Sequence, residues 1–243
     1  MLMQTVLQNR KRHRHKKGVQ MKKKSKQATL MKLMPESITS RLEEYKNLMC
    51  YYQCAIMEIE TKFNVLNAQF SLQKERNHIE TIKTRLKSPE SILEKLERKG
   101  YPISVNSIEQ NLDDVAGVRV ICPFIQDIYI LYQCFSQQDD IKILEIKDYI
   151  KNPKPNGYRS LHMIVEVPIF LQNEKRLMRV EVQLRTIAMD FWASLEHRLR
   201  YKKDLNEELA AMLSEELKQC AEESAGLDLR MGMVKESIEK YNK

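Results

Sequence analysis

Apolar residues recur at helical spacing near both ends of the chain. From Ile38 to Phe70 they recur at steps of four and three, and no glycine or proline interrupts the run. This spacing predicts a long amphipathic helix. The same period returns from Leu213 to Tyr241, although Gly226 and Gly232 weaken the helix there. Two such stripes predict helix-on-helix packing, either with each other or across subunits.

Boundary residues predict a shorter helix from Pro89 to Lys99. Ser88 is suited to cap its start, proline suits its first turn, and Gly100 suits the position just past its end. The helix is predicted to turn three apolar side chains towards the core: Ile92, Leu93 and Leu96.

The middle of the chain alternates between strand and helix patterns. Four strands are predicted, at Val115–Cys122, Ile141–Ile146, Ser160–Val167 and Met178–Arg185. A helix from Gln126 to Phe135 is predicted to connect the first two strands, and a helix from Ile187 to Tyr201 to follow the last one. We expect this last helix to direct Phe191, Trp192 and Leu195 towards the core.

Two of these strands carry charged residues that need an explanation. Arg119 is the one charged residue of an otherwise apolar strand, so an internal carboxylate or a ligand phosphate must offset the cost of its burial. On the last strand Met178, Val180, Val182 and Leu184 share one face, and Arg179, Glu181, Gln183 and Arg185 share the other. Such a face is typical of cross-strand ion pairs at a surface, or of a site for a divalent cation and a polyphosphate.

The loop between the second and third predicted strands has the sequence KDYIKNPKPNGYRSLH, from Lys147 to His162. Two prolines and a glycine exclude a helix here. Four cations, Lys147, Lys151, Lys154 and Arg159, accompany Tyr158. Cations beside an aromatic ring suit a phosphorylated ligand with a flat base, although a solvated basic turn has the same composition.

Charge is distributed unevenly along the chain. The 243 residues include 41 Lys and Arg and 33 Asp and Glu, for a net charge of +8. Residues 1–34 contain eleven of the basic residues and no acidic one, so the 30 basic residues that remain leave the body with a net charge of −3. This low-complexity tail is predicted to be disordered. RNA contact through the tail and a non-essential extension both stay open.

The cysteines and the apolar runs indicate the compartment. Five scattered cysteines, an odd number, fit free thiols in a reducing cytoplasm. Cys50 and Cys54 lie one helical turn apart without a nearby histidine, so we interpret them as packing residues. No apolar run approaches the length that crosses a bilayer. The sequence therefore predicts a cytoplasmic protein without a membrane anchor.

Four motifs together resemble the synthetase domain of the RelA/SpoT family. They are DDVAGVRVIC, KDYIKNPKPNGYRSLH, VEVQLRT and IAMDFWASLEHRLRYK, in this order. The likeness runs from about Ile82 to Lys203 and is strongest to the single-domain small alarmone synthetases. It implies an α/β (α+β) fold with a mixed β-sheet flanked by helices, related to nucleotidyltransferases. It also divides the chain into a tail (1–34), a synthetase domain (35–203) and a helical segment for packing or oligomerisation (204–243).

The resemblance implies a reaction and a set of site residues. Family members transfer the β,γ-pyrophosphate of ATP to the 3′-hydroxyl of GDP or GTP and release AMP. Asp114 and Glu181 match the catalytic carboxylates that hold Mg²⁺, and Glu181 is also the candidate acceptor of the 3′-hydroxyl proton. The ATP-binding matches are Arg85, Lys87, Lys95, Arg98, Lys99 and Arg119, of which Arg85 and Arg119 match the arginines that sandwich adenine. The guanine nucleotide-binding matches are Lys147, Tyr158, His162, Gln183 and Asp190, with the ring of Tyr158 stacking on guanine.

The chain departs from its relatives in two ways. Asp190 stands where some relatives have Asn, and Glu145-Ile146-Lys147-Asp148 stands where the bifunctional enzymes of the family have Arg-x-Lys-Asp. The second departure leaves the number of metal ions and the choice between GDP and GTP open. No segment resembles the hydrolase domain of the bifunctional enzymes, which implies synthesis without hydrolysis. The resemblance further implies a homo-oligomer, with a tetramer favoured over a dimer. Two other functions stay open: a nucleotidyltransferase with another acceptor, and an RNA-binding or scaffold protein that acts through the basic tail.

Deleting residues 1–34 is expected to leave the implied synthesis nearly unchanged, because every matched site residue lies beyond the tail and the tail lacks core-forming residues. Turnover of the truncated and full-length proteins, compared at equal folded concentration, checks this. A large loss of turnover in a folded truncation would refute the expectation, whereas an effect confined to RNA affinity would not.

Overall fold

The computed structural model describes residues 36–72, 77–200 and 207–241. The elements, in chain order, are α1 (Glu36–Leu72), β1 (Thr81–Leu86), α2 (Pro89–Lys99), α3 (Val105–Asn111), β2 (Ala116–Cys122), α4 (Ile125–Ser136), β3 (Lys142–Asp148), β4 (Leu161–Phe170), β5 (Lys175–Thr186), α5 (Ile187–Arg200) and α6 (Glu207–Tyr241). The tail predicted over 1–34 lies outside the described residues. The chain divides into two compact units, 1–48 and 49–243, and the contacts described below all belong to the second.

The five strands form one sheet in the order β1-β2-β5-β4-β3. The central strands β2 and β5 run parallel, and every other neighbouring pair runs antiparallel. The predicted mixed sheet flanked by helices is therefore confirmed. Cα pairing sets Arg119 beside Gln183 and Gln183 beside His162. Because paired residues of adjacent strands project to the same face, the polar side chains of three strands gather on one surface.

The opposite face of the sheet is the core. Met163 and Val165 on β4 and Val180 and Val182 on β5 are fully buried, as their alternation predicts. The core extends between α1 and α4, where the rings of Phe63 and Phe135 stack with centroids 4.6 Å apart. Residues 49–72 of α1 thus pack on this side of the sheet, which leaves the polar surface open on the other side.

Two elements lack a clear pattern in the sequence. β1 is an edge strand with little burial, so its residues do not alternate between apolar and polar. α3 has only seven residues, and its clearest signal is Ser104, whose hydroxyl accepts a hydrogen bond from the Ser107 N–H at 3.1 Å. β1 matters to the site, since it supplies Lys83 and Arg85.

Three predicted core positions are wrong. Leu93 on α2 is 42% exposed, and Phe191 and Leu195 on α5 are 63% and 41% exposed. In both helices the residues beside them, Leu96 and Trp192, are buried as predicted. The apolar stripe of each helix is wider than the surface it covers, and the outer edge of the stripe is left in solvent.

The helix α6 docks through small residues rather than through its apolar stripe. Ala221, Asp228 and Gly232 are buried, whereas Leu227 and Val234 of the predicted stripe are exposed. Hydrogen bonds fix the docked face: Trp192 Nε1 donates to the Leu217 carbonyl at 2.8 Å, Ser224 Oγ to the Ala188 carbonyl at 3.2 Å and Thr186 Oγ1 to Asp228 Oδ2 at 2.6 Å. Burial raises the pKa of the Asp228 carboxyl, and the Thr186 hydrogen bond opposes that shift.

The loop between β3 and β4 is held at both ends. At its start, Asp148 Oδ2 accepts a hydrogen bond from the Tyr129 hydroxyl on α4 at 3.0 Å, and Oδ1 accepts from the Ile150 N–H at 3.0 Å. Towards its end, Gly157 packs on α6, and Arg159 Nη1 donates to the Ala221 carbonyl at 3.3 Å. We call residues 149–160 the acceptor loop. It contains Tyr158, which α4 and α6 thus help to place.

Gly157→Ala is expected to destabilise the fold more than Gly100→Ala does. Both glycines have positive φ, +85° and +69°, so each substitution costs about 1–2 kcal/mol of backbone strain. Only at Gly157 does an added Cβ meet another atom, Ala221 Cβ at 2.5 Å, which adds about 1–3 kcal/mol of overpacking. Denaturant unfolding of both variants measures the difference.

Ala221→Gly supplies the matched rescue. It removes the methyl group that an alanine at position 157 would meet, so the double variant should be more stable than the sum of the two single losses allows. Strictly additive losses would show that the contact between the loop and α6 is absent.

Candidate active site

A cleft on the polar face of the sheet contains two cavities that share Glu181. One, of about 210 Å³, is lined from β1, β2 and β5 and from the segments beside them. The other, of about 220 Å³, is lined from β3, β4, the acceptor loop and β5. We call them the β1-side and β3-side cavities. The carboxylate of Glu181 therefore faces both.

Asp114 is the anionic centre of the β1-side cavity. It lies just before β2, and its carboxylate pairs with Lys87 Nζ at 2.6 Å and with Lys95 Nζ at 2.7 Å. Burial opposes its ionisation, but the two lysines outweigh burial and hold the pKa of Asp114 below its usual value. Asp114 is thus ionised at neutral pH, and two ammonium groups stand beside it where a polyphosphate can use them.

Arg119 has the internal anion that its burial requires. Its Nη1 lies 3.2 Å from Asp190 Oδ1, and its Nε donates to Gln183 Oε1 at 3.4 Å. Asp190 also pairs with Lys83 Nζ at 2.7 Å and with Arg185 Nη1 at 3.3 Å. Of the two explanations open from the sequence, an internal carboxylate therefore accounts for Arg119 in the protein itself.

Glu181 is held by two neighbours on the polar face. His162 Nδ1 lies 3.4 Å from Oε1, and Gln183 Nε2 donates to Oε2 at 2.9 Å. Burial raises the pKa of Glu181, but these two partners outweigh burial and the net shift is downward. Burial lowers the pKa of His162 in spite of the carboxylate, so this ring is neutral at pH 7. An ionised carboxylate thus stands where the two cavities meet.

Tyr158 brings an aromatic face and a hydroxyl to the β3 side. Lys154 Nζ lies 4.9 Å from its ring centroid, and the Arg185 guanidinium carbon lies 5.0 Å from it. The hydroxyl lies 2.6 Å from His162 Nε2 and accepts a hydrogen bond from Arg185 Nη2 at 2.5 Å. Burial raises the pKa of Tyr158, although Arg185 opposes that shift, so the hydroxyl keeps its proton.

The structure brings most of the residues singled out from the sequence into the cleft. The β1-side lining includes Arg85, Lys87, Asp114, Arg119, Glu181 and Gln183, and the β3-side lining includes Lys147, His162 and Glu181. Lys95, Tyr158 and Asp190 contact these residues without lining either cavity. Arg98 and Lys99 lie exposed at the end of α2, outside both linings, and Lys99 Nζ lies 5.8 Å from the Tyr101 ring centroid.

Four further residues of the cleft were not assigned to the site from the sequence. Lys83 could not be found without β1, and Glu145 and Tyr149 follow no spacing rule. Lys154 was noted among the loop cations, but only its position over two rings, those of Tyr149 and Tyr158, connects it to the site.

Two carboxylates of the cleft are candidate ligands for a metal ion. Asp114 and Glu181 both line the β1-side cavity, and carboxylate oxygens are the ligands that Mg²⁺ prefers. Among residues 36–72, 77–200 and 207–241, no group of three or more His, Cys, Asp or Glu is arranged to hold a metal ion. Two carboxylates without a third ligand suit an ion whose coordination is completed by substrate phosphates and water.

No helix in the described part of the chain is long and apolar enough to cross a membrane.

Comparison with known proteins identifies the family. The family profile described as a region found in RelA/SpoT proteins matches residues 84–206. The GTP pyrophosphokinase YwaC of Bacillus subtilis is 43% identical over 204 residues, which cover 84% of this chain and 96% of that protein. The GTP pyrophosphokinase YjbM of the same species is 30% identical over 198 residues, which cover 82% and 92%.

Solved structures agree. The crystal structure of small alarmone synthetase 2 from Bacillus subtilis superposes with a TM-score of 0.71 at 43% identity, over 80% of this chain and 99% of that one. Small alarmone synthetase 1 from the same species, bound to its product pppGpp, superposes with a TM-score of 0.73 at 30% identity, over 81% and 98%. With its sheet, its cleft and these similarities together, the chain belongs to the RelA/SpoT family.

Proposed function

We propose that the protein is a (p)ppGpp synthetase, a GTP pyrophosphokinase that transfers the β,γ-pyrophosphate of ATP to the 3′-hydroxyl of GDP or GTP. The 3′ oxygen forms a bond to the β-phosphorus, the bond between that phosphorus and the α,β-bridging oxygen breaks, and AMP leaves. The observation that carries this proposal is the position of Glu181, an ionised carboxylate between two cavities. A donor nucleotide in one cavity and an acceptor in the other would meet at this residue.

The β1-side cavity suits ATP because its cations are concentrated. Lys87 and Lys95 already hold an anion, the carboxylate of Asp114, at distances below 3 Å. Fixed cations of this kind stabilise the charge that develops as a phosphoryl group is transferred. Arg85 and Arg119 line the same cavity from paired strands and would flank the adenine. Arg98 and Lys99 would reach a bound polyphosphate only from the edge of this site.

The β3-side cavity suits the guanine nucleotide. Tyr158 borders this cavity, since it contacts the lining residues His162 and Lys154, and its ring would stack on the base, an interaction worth on the order of 1–3 kcal/mol. Lys147, Lys154 and His162 line the cavity, with two ammonium groups for the 5′-phosphates. Gln183 and Asp190 would act on the guanine nucleotide indirectly. Gln183 contacts Glu181 and Arg185, and Asp190 pairs with Arg185. The cations that line the cavity suit the phosphates of either acceptor, so GDP and GTP remain joint candidates.

Glu181 would accept the proton of the 3′-hydroxyl, since its lowered pKa leaves it ionised and its position leaves it within the cleft. Asp114 and Glu181 would also hold Mg²⁺. When bound, that ion supplies positive charge to the phosphates and orients the transferred group. Lys87 and Lys95 keep Asp114 ionised, and would turn to the phosphates as substrate enters.

Assembly and location follow as further parts of the proposal. Residues 35–203 would form the synthetase domain and 204–243 the helical segment through which subunits assemble. Exposed apolar side chains on α5 and α6, Phe191, Leu227, Met231 and Val234 among them, support a homo-oligomer, for which we favour a tetramer. Light scattering at micromolar concentration would distinguish a tetramer from a dimer.

All five cysteines are free, which supports a cytoplasmic location. Synthesis without hydrolysis completes the proposal.

One incubation tests the activity. The protein, ATP, Mg²⁺ and GDP or GTP are mixed, and the nucleotides are separated by anion exchange. The expected result is AMP in equal amount to ppGpp or pppGpp. Release of inorganic pyrophosphate with a nucleotidylated acceptor would instead indicate a nucleotidyltransferase. Loss of a 3′-pyrophosphate from added ppGpp would overturn synthesis without hydrolysis.

Asp114→Asn and Glu181→Gln are each expected to lower kcat by about a hundredfold or more, the order of a lost electrostatic catalytic group. Both side chains lie in the cleft rather than in the apolar core, so the fold should survive. ATP binding should weaken less than turnover. Steady-state synthesis at saturating Mg²⁺, with circular dichroism as the fold check, measures the effect.

Asp113→Asn is the matched control. This neighbouring carboxylate is 2.9 Å from Arg179 and outside both cavities, so its loss should leave kcat within about twofold. Near wild-type turnover in either cleft variant would remove that residue from the catalytic site. A hundredfold loss in the control would point to a general effect of removing charge.

A further inference from the structure

Five side chains on the polar face form a closed ring around the meeting point of the two cavities, through four hydrogen bonds and one polar contact between His162 and Glu181. In order around the ring they are Tyr158, His162, Glu181, Gln183 and Arg185. Four of the five links join residues two or four positions apart in sequence or on paired strands, so the sheet register itself assembles the ring. The fifth link closes it, from Arg185 on β5 to Tyr158 in the acceptor loop.

The links form a continuous path. Arg185 Nη2 lies 2.9 Å from Gln183 Oε1 and 2.5 Å from the Tyr158 hydroxyl. The Tyr158 hydroxyl lies 2.6 Å from His162 Nε2, and His162 Nδ1 lies 3.4 Å from Glu181 Oε1. Gln183 Nε2 lies 2.9 Å from Glu181 Oε2, which returns to the start. One guanidinium nitrogen thus reaches the glutamate by two routes.

Donor and acceptor chemistry fixes the direction of every link. A guanidinium can only donate and a carboxylate can only accept, so the ring runs from Arg185 to Glu181 on both sides. Gln183 accepts with its oxygen and donates with its nitrogen. Tyr158 accepts from Arg185 and so has its own proton for Nε2 of His162, which leaves the ring proton on Nδ1 to face Glu181. Each group therefore holds its neighbour in one orientation.

Arg185 has the properties of the group that anchors this ring. Its side chain is buried, with the residue 4% exposed, and it lines neither cavity, so a direct substrate contact does not explain it. Its charge is offset by Asp190, 3.3 Å away. An isolated charge at this depth would be costly, so we look for the role of Arg185 in the groups that its guanidinium hydrogen-bonds, Gln183 and Tyr158.

We propose that Arg185 is a positioning residue for pyrophosphate transfer, which sets the orientation of Glu181 through Gln183 on one side and through Tyr158 and His162 on the other. The inference rests on the proposed function and adds a residue that acts on the acceptor half without touching substrate. It also gives the Tyr158 hydroxyl a role separate from the stacking role of its ring, for which the hydroxyl is not needed.

The ATP side should keep its own ion pairs when this residue is replaced. If Arg185 is replaced, Asp190 still has Lys83 at 2.7 Å and Arg119 at 3.2 Å, so its charge stays compensated. Arg119 touches the ring through Gln183 Oε1 at 3.4 Å, but Arg119 keeps Asp190, and Lys87 and Lys95 keep Asp114, when Arg185 is replaced. The expected signature is a loss of kcat with little change in the KM for ATP.

The experiment compares Arg185→Lys, Tyr158→Phe, the double variant and Arg179→Lys in the assay with ATP and GDP. Lysine keeps the charge beside Asp190, but its single nitrogen cannot reproduce a planar fork that bridges three partners. Phenylalanine keeps the stacking ring and removes only the hydroxyl. Arg179 lies on the same strand and face, pairs with Asp113 at 2.9 Å and belongs to neither cavity, so it controls for loss of an arginine.

Each single ring variant should lower kcat by roughly ten- to a hundredfold, the order of a misplaced catalytic group, with the KM for ATP within about twofold of wild type. Because the two substitutions open the same ring, the double variant should lose little more than the worse single variant. Arg179→Lys should behave as wild type.

Three results would overturn the inference. They are wild-type kcat in Tyr158→Phe, multiplicative losses in the double variant, and a change in the KM for ATP as large as the change in kcat. Tyr158→Phe keeps the inference testable if Arg185→Lys does not fold. If the wild-type protein releases no AMP from ATP and GDP, the proposed function fails instead, and that failure is seen before any variant is made.

Discussion

The parallel pairing of β2 with β5 is the constraint on which the rest of the site depends. It sets Gly117 beside Glu181 and Arg119 beside Gln183, with β4 then adding His162 on the far side of Gln183. A slip of one residue would turn every one of these side chains into the apolar core. The same alternation that buries Val180, Val182 and Leu184 therefore gathers the chemical groups on the opposite face. Core formation and site formation are one event in this sheet.

The electrostatics of the cleft follow from that gathering. Outside the first 34 residues the chain has a slight excess of acidic residues. The cleft nevertheless concentrates lysines and arginines around the carboxylates of Asp114, Glu181 and Asp190. Each anion already has cationic or hydrogen-bonded partners, which keeps Asp114 and Glu181 ionised in spite of burial. Lys87 and Lys95 already stand beside the cavity before substrate arrives, so they need only turn from Asp114 towards the phosphates that enter.

Much of this arrangement could be predicted from the sequence, because strand alternation and helix caps are local signals. Such patterns predict the long helices, four of the strands and the capped helix α2. They also predict that the buried Arg119 needs an anion as its partner, which is Asp190. β1 could not be predicted, since an edge strand buries little and shows no alternation, and with it Lys83 stayed hidden. The outward positions of Phe191 and Leu195 were also beyond reach, because the width of the surface that covers a helix is a property of the whole fold.

The ring of five side chains around Glu181 shows what local sequence patterns cannot predict. Glu181, Gln183 and Arg185 share a face by alternation, and that much is written in one strand. Their closure through Tyr158 depends on the acceptor loop, whose position is set by contacts with α4 and α6. Motif spacing names the members of the cleft but not which of them touches which.

The docking of α6 on the acceptor loop has a consequence for the order of events during synthesis. Arg159 and Ala221 are 62 positions apart, and a polypeptide grows from its N-terminus. A nascent chain that has emerged from the ribosome as far as α5 therefore has every residue of both cavities, but it lacks the contacts that α6 makes with Gly157 and Arg159. The loop acquires these last contacts only once Ala221 has emerged. Folding around the acceptor loop is thus completed late in translation.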